Sequence, residues 1–419
     1  MPPASLAQWL DYIEGCHPQA MALGLERVAA VHAALDLPPP ACTISVAGTN
    51  GKGSIVAFLE AILVAAGYRV GAYTSPHLRR FNERIRIAGV EAADAGLCRA
   101  FARVEAARGA TLLTYFEFAT LAALVLFAEA ELDVVLLEVG LGGRLDAVNI
   151  IDADLAVLAP IDLDHAAWLG DNREAIGVEK AGILRPGRPA VSAEPQPPAS
   201  VVAAAAALGA PLYLPDSDYR YAVDAHGWRW SAAGRERPAL PRPALFGRHQ
   251  YANAAAALMA LECLGERLPV GQGAVRQGLL DAALPGRFEV QPGPVERILD
   301  VAHNPHGARA LAAALAARPC DGRTLAVVGM LADKAIAATL AELAGGVSRW
   351  FAAPLPVPRG SDAGPLVAAL AELGAEVEAC ASVADACSRA RAVAADGDRI
   401  VVFGSFHTVA AVLAADGVG

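Results

Sequence analysis

Gly48, Thr49, Asn50, Gly51, Lys52, Gly53 and Ser54 lie between an apolar run, Thr43 to Ala47, and a helical pattern, Ile55 to Ala66. Glycines at such a junction let backbone N–H groups converge on phosphate oxygens, while the following helix turns its positive end toward them. Lys52 adds a compact positive charge, and Ser54 supplies a hydroxyl able to hold Mg2+. Gly53 separates the lysine from the hydroxyl, so the spacing departs from the strict Walker pattern. The segment reads as a phosphate-binding loop for a nucleoside triphosphate.

Lysine usage sharpens the list of chemically active positions. Of 34 basic residues only Lys52, Lys180 and Lys334 are lysine. Arginine is a poor substitute where a compact ammonium or a deprotonatable amine is needed, so each retained lysine is a candidate for chemistry. Glu138 closes the apolar run Asp133 to Glu138 and precedes a glycine-rich turn, which places its carboxylate at a strand's carboxyl edge as a Mg2+ donor or as a partner for Arg144. His165 follows the run Leu155 to Leu158, and Ser75 follows Arg69 to Thr74, so both are expected at the same edge of that sheet. Lys180 has two readings: an intrahelical ion pair with Glu179 or Glu174, or an amine that takes up CO2 to become a carbamate. Arg287, Asp300, His303 and Asn304 cluster around the start of the second half. Asn253 is expected to open an alanine-rich helix, Asn253 to Leu264, where its amide caps the helix or hydrogen-bonds an adenine.

These residues need a frame that brings strand ends together. From Thr43 onward short apolar runs alternate with helical segments, the pattern of a mainly parallel sheet covered by helices. The expected strands are Thr43 to Ala47, Arg69 to Thr74, Asp133 to Glu138, Leu155 to Leu158 and Pro189 to Ser192, with a hairpin over Tyr219 to Ser231 decorating the same domain. The Pro/Gly-rich stretch Leu284 to Pro294 reads as a boundary. Five further strand runs, beginning at Val295, Thr324, Ser348, Ala375 and Arg399, alternate with helices and form a second doubly wound domain. The fold class is therefore α/β: an N-terminal P-loop ATPase-like domain with a mainly parallel sheet, and a C-terminal doubly wound, Rossmann-like domain. Boundaries are expected at 1–286 and 287–419.

Composition narrows the partners. A formal net charge of -10 argues against a nucleic-acid ligand, which needs a basic face. The longest apolar stretch, Phe118 to Ala128, ends at Glu129 before it could span a bilayer, and the amino terminus lacks a signal-peptide pattern. Seven cysteines without a C-x-x-C pair suit a reducing compartment. A cytoplasmic protein without membrane or nucleic-acid partners is expected.

Several segments together resemble the Mur ligase superfamily and, within it, the bifunctional dihydrofolate synthase/folylpolyglutamate synthase family. They include Leu23 to Val28 (LGLERV), Val46 to Ser54 (VAGTNGKGS), Thr74 to Leu78 (TSPHL), Thr114 to Glu117 (TYFE) and Leu137 to Asn149 (LEVGLGGRLDAVN). Leu163 to His165, Glu179 to Ile183 (EKAGI), Leu284 to Phe288 (LPGRF), Asp300 to His306 (DVAHNPH) and Gly404 to Thr408 (GSFHT) extend the match. The resemblance implies an ATP-dependent amide ligase that phosphorylates a folate carboxylate and lets L-glutamate displace the phosphate. Its substrates would be dihydropteroate, reduced folates and L-glutamate. Its cofactors would be ATP and two Mg2+ ions, with a monovalent cation as an optional addition. It implies phosphate binding by Lys52 and residues 48–54, metal binding by Ser54, Ser75, Glu138, His165 and a carbamylated Lys180, and ATP contacts from Asn253, Arg287, Asp300 and His303. Thr114, Phe116, Asp146 and Ala147 would line the pterin site, and the chain would act as a monomer. A peptidoglycan-precursor ligase, a P-loop kinase and a non-catalytic ATP switch are the competing readings.

Overall fold

The computed structural model describes residues 3–19, 21–232 and 234–417. The chain forms two compact units: the first comprises Met1–Ile161, Leu169–Ala244 and Ala252–Ala282, the second Asp162–Trp168, Leu245–Tyr251 and Ala283–Gly419.

In the first unit an eight-stranded sheet is built from β1 (Thr43–Ala47), β2 (Val70–Tyr73), β3 (Ile85–Ile87), β4 (Val90–Glu91), β5 (Val134–Glu138), β6 (Leu155–Leu158), β7 (Ala190–Ser192) and β8 (Leu212–Tyr213). Its order is β4-β3-β2-β5-β1-β6-β7-β8. All neighbours run parallel except at the β2-β3-β4 edge, which is antiparallel. Every residue of β1 and β5 is buried, as expected of central strands covered on both faces; β5 is apolar up to its last residue, and the small hydroxyl residues Thr43 and Ser45 of β1 are buried with it. The helix Tyr115–Glu129 likewise buries residues all around its circumference, which accounts for the longest apolar stretch as core packing. Among the described residues no helix is long and apolar enough to cross a membrane.

The expected hairpin is two strands of a separate three-stranded sheet: β9 (Tyr219–Asp224), β10 (Gly227–Ala232) and β11 (Arg235–Leu240). β10 carries Trp228 and Trp230, both buried, and the Trp230 indole N–H donates to Ala255 O at 3.1 Å.

The second unit holds a six-stranded sheet of β12 (Glu289–Gln291), β13 (Glu296–Leu299), β14 (Thr324–Val328), β15 (Arg349–Ala352), β16 (Val377–Ala379) and β17 (Arg399–Phe403), in the order β12-β13-β17-β14-β15-β16. The five strands read from the sequence are all present and parallel. β12 is an addition, antiparallel to β13, inside the stretch expected to be only a boundary. The core between sheet and helices includes Ile298, Leu311, Val328, Trp350, Leu370 and Phe403.

Candidate active site

Strand register brings the loop 48–54 and Glu138 together. β1 pairs with β5 so that Val46 stands opposite Glu138, and the Val139 N–H donates to Val46 O at 2.9 Å. On the other side of β1, Ala47 aligns with Leu158, and the Thr49 N–H donates to Pro160 O at 2.9 Å. β1 is thus held on both sides up to the start of the loop, and the β6 side also holds Thr49. Its helix spans Lys52–Ala65, one turn longer at its start than the sequence pattern suggests, with Gly51 at the N-cap. Ser54 is buried in its first turn.

Gly48 has φ +147°, and a Cβ there would sit 2.5 Å from Ala159 Cβ and 2.8 Å from Ala159 O. Neither the backbone conformation nor the space admits another residue. Gly48→Ala is expected to cost about 2 kcal/mol or more and to displace the loop, lowering affinity for an ATP analogue at least about tenfold. Wild-type affinity by calorimetry would refute this account of the loop.

Two lysines converge on the same carbonyl. Lys52 Nζ donates to Gly48 O at 3.2 Å and to Thr49 O at 3.3 Å, while Lys180 Nζ donates to Gly48 O at 2.7 Å. Lys180 is buried near the end of the helix Arg173–Ala181. The carboxylates weighed as its partners are engaged elsewhere: Glu179 pairs with Arg144 at 2.8 Å, and Glu174 accepts the Ala199 and Ser200 N–H groups. The Glu179 pairing also removes Arg144 from Glu138. The buried Glu138 instead accepts the Ser75 backbone N–H through Oε2 at 3.1 Å.

Asn253 corrects one expectation. The helix begins at Arg248, so Asn253 lies in its second turn and does not cap it. Its buried amide abuts the loop, since a Cβ added to Gly51 would meet Asn253 Oδ1 at 2.8 Å.

A third group surrounds Gly140, where an added Cβ would lie 2.7 Å from the Phe116 ring and 3.3 Å from Asp146 Oδ2. A side chain at this position would collide with the Phe116 ring and crowd the Asp146 carboxylate. Asp146 is buried and accepts the N–H groups of Leu141 at 2.8 Å and Val148 at 3.1 Å. Burial pushes its carboxyl up to about 6, against the opposing pull of the backbone donors and of Lys52. Ala147, also buried, follows it. The Thr114 hydroxyl accepts the Glu117 N–H at 3.3 Å, while Glu117 Oε2 accepts the Thr114 N–H at 2.8 Å. This capping box starts the helix that carries Phe116. Arg27, from the LGLERV segment, binds Glu117 Oε1 at 2.9 Å.

The remaining predicted residues lie in the second unit. Asp300 accepts the N–H groups of Phe288 and Ala302, each at 2.8 Å, so it fixes the turn carrying Arg287. Burial pushes its carboxyl up, opposed chiefly by the Arg287 charge. Arg287 lies over the Phe406 ring at 5.0 Å. His165 was expected with the first sheet, yet the segment 162–168 packs in this unit because Asp164 gathers partners there. Asp164 accepts from Lys334 Nζ at 2.6 Å and from Asn304 Nδ2 at 2.9 Å, and lies 3.3 Å from His303 Nε2. His165 Nε2 is 3.4 Å from Lys334 Nζ. Burial would raise the Asp164 carboxyl, but the hydrogen bond from His303 and the neighbouring positive charges hold it well below the usual range. Asp164 was not singled out as a site residue, although its neighbours His165, His303, Asn304 and Lys334 were.

A family model described as Mur ligase, glutamate ligase domain matches residues 286–406. The Escherichia coli dihydrofolate synthase/folylpolyglutamate synthase is 49% identical, over 97% of this chain and 94% of that protein. The solved E. coli FolC in complex with DHPP and ADP superposes with a TM-score of 0.95 at 47% identity, covering 100% of this chain and 99% of that one. A bifunctional folylpolyglutamate synthase/dihydrofolate synthase with Mn, AMPPNP and L-glutamate bound gives a TM-score of 0.91 at 49% identity, covering 100% of both chains.

Proposed function

The chain belongs to the dihydrofolate synthase/folylpolyglutamate synthase family, and from that premise we propose that it is an ATP-dependent ligase adding L-glutamate to dihydropteroate and to reduced folates through an acyl phosphate. The observation that carries this reading is the convergence of Lys52 and Lys180 on Gly48 O, beside a strand register that sets Glu138 opposite Val46. The Lys52 ammonium at a loop of backbone N–H donors suits a terminal phosphate whose charge shifts during transfer, and Lys180 brings its amine to the same loop.

In this reading Gly48, Thr49, Asn50, Gly51, Lys52, Gly53 and Ser54 hold the phosphates, while Asn253, Arg287, Asp300 and His303 bind the rest of ATP. Ser54, Ser75, Glu138, His165 and Lys180 as its carbamate serve two Mg2+ ions, with a monovalent cation as an addition. Among the described residues no group of three or more His, Cys, Asp or Glu could hold a metal by itself. That donor set fits Mg2+, which is commonly bound by one or two carboxylates together with substrate phosphates and water. When bound, Mg2+ supplies neutralisation of charge on the transferring phosphoryl group.

Thr114, Phe116, Asp146 and Ala147 line the pterin site, and Thr114 also caps the helix that carries Phe116. Residues 1–286 act as the ATP- and pterin-binding domain and residues 287–419 as the glutamate ligase domain. The enzyme works in the cytoplasm as a monomer, with small-molecule partners and no membrane or nucleic acid. A carboxylate is a poor electrophile, and phosphorylation gives it a leaving group that the glutamate amine displaces.

Phosphate release measured with each substrate omitted in turn tests the assignment. Release should require glutamate together with either dihydropteroate or a reduced folate, and both acceptors should yield amide product. Activity on the folate alone would reduce the enzyme to a monofunctional synthase. Phosphate release that needs neither acceptor nor glutamate would favour an ATP switch, and ADP formation with the phosphate retained on the acceptor would favour a kinase.

A further inference from the structure

The helix that follows the phosphate loop is apolar along nearly its whole length, yet Glu60 lies within it and is buried. A carboxylate in such a position requires a partner. Arg86 of β3 supplies one: its Nε donates to both Glu60 oxygens at 3.1 and 2.9 Å, and its Nη2 donates to Oε2 at 2.6 Å. The third corner of the guanidinium, Nη1, donates to Thr74 Oγ1 at 3.1 Å and to Glu83 O at 2.8 Å. Thr74 is followed by Ser75, whose N–H holds Glu138. Hydrogen bonds therefore run from the loop's own helix through Arg86 to Thr74, and the next residue in the chain, Ser75, holds Glu138.

We infer that Glu60 and Arg86 are positioning residues for the Ser75–Glu138 edge: Arg86 fixes the turn after β2 through Thr74, and Glu60 cancels the Arg86 charge so that a divalent cation can be held beside it. The inference rests on the reading of Ser75 and Glu138 as metal donors. Glu138 is close enough to Arg86 to contribute to its electrostatics: burial lowers the Arg86 pKa, but Glu60, with smaller contributions from Glu138 and Glu91, raises it overall. With Glu60 neutral, the guanidinium would turn its full charge on Glu138 and on any cation there.

The test uses full-length protein and Mn2+ as the probe, with free Mn2+ followed by electron paramagnetic resonance in the presence of a non-hydrolysable ATP analogue. Glu60→Gln, which leaves Arg86 unbalanced, should weaken Mn2+ binding about tenfold or more. Arg86→Lys, which keeps the charge but loses the fork that reaches Thr74, should weaken it severalfold. Affinity for the analogue in EDTA should match wild type in both. If either variant, held well below its thermal midpoint, binds Mn2+ as wild type does, the pair is only a structural brace and the inference is overturned. It is also overturned if analogue affinity in EDTA falls in parallel with Mn2+ affinity, because the lesion then lies in the loop. Should Glu60→Gln not fold, the Arg86→Lys result alone decides. Wild-type protein that binds the analogue but no Mn2+ would instead overturn the metal reading itself, and the inference with it.

Discussion

Lys180→Arg is expected to fold, to bind nucleotide and to be nearly inactive. Lys180 is buried and its ammonium reaches Gly48 O at 2.7 Å, so the side chain ends beside the phosphate loop and not in solvent. Arginine would keep the positive charge while failing in two other respects. Its planar fork is wider than the ammonium it would replace, and its guanidinium stays protonated, so it cannot take up CO2. In the carbamate reading a neutral Lys180 amine bonds to CO2 and releases a proton, converting a cation into an anion that can serve a metal near the phosphates. Turnover should fall on the order of a hundredfold or more. Wild-type enzyme stripped of CO2 at mildly acidic pH should regain activity when bicarbonate is added. A fully active Lys180→Arg variant would leave Lys180 as a hydrogen-bonding strut for the loop, and an absence of any bicarbonate response would remove the carbamate.

The second large effect concerns Lys52. Its ammonium bridges Gly48 O and Thr49 O at 3.2 and 3.3 Å from the first turn of the loop's helix, so its position depends on the loop backbone itself. A point charge there opposes the negative charge that redistributes as the phosphoryl group moves. Lys52→Ala should lose on the order of a hundredfold in kcat or more. Lys52→Arg should fail as well, because the bulkier group does not fit between two carbonyls spaced for an ammonium. Single-turnover measurement of phosphoryl transfer is the decisive assay, and near-normal transfer by Lys52→Arg would show that charge alone suffices.

Both lysines were legible in the sequence because their surroundings are local: glycines around Lys52, and the EKAGI segment around Lys180. The strands beneath them were legible for a similar reason, since β1, β5, β14 and β17 are buried at every residue and are mostly apolar. Elements with weak apolar content were not. β3 and β4 include Arg86 and the exposed Val90, and β12 follows the Pro285–Gly286 turn, so neither place carries a strand pattern. The start of Asn253's helix was misplaced because Arg248, His249, Gln250 and Tyr251 offer no apolar repeat ahead of the alanines. Pairings across long sequence distance were beyond reach altogether. Lys334 meets Asp164 and Arg86 meets Glu60 only because folding brings those elements together, and nothing in the flanking residues announces either partner.

The composition of the second unit bears on how such proteins can be recombined. The family model matches one uninterrupted stretch, 286–406, which invites treating that region as an exchangeable module. The unit is nevertheless assembled from three stretches of chain, one of which, Asp162–Trp168, is an excursion out of the middle of the other unit. Lys334 travels with the large stretch, whereas Asp164 and His165, its partners at 2.6 and 3.4 Å, travel with the small one. A chimera spliced at a single crossover near residue 286 would thus marry each parent's buried lysine to the other parent's carboxylate. Grafts that carry 162–168 and 245–251 along with the carboxyl-terminal piece keep each inherited pair intact, so the natural unit of exchange between relatives is discontinuous in sequence.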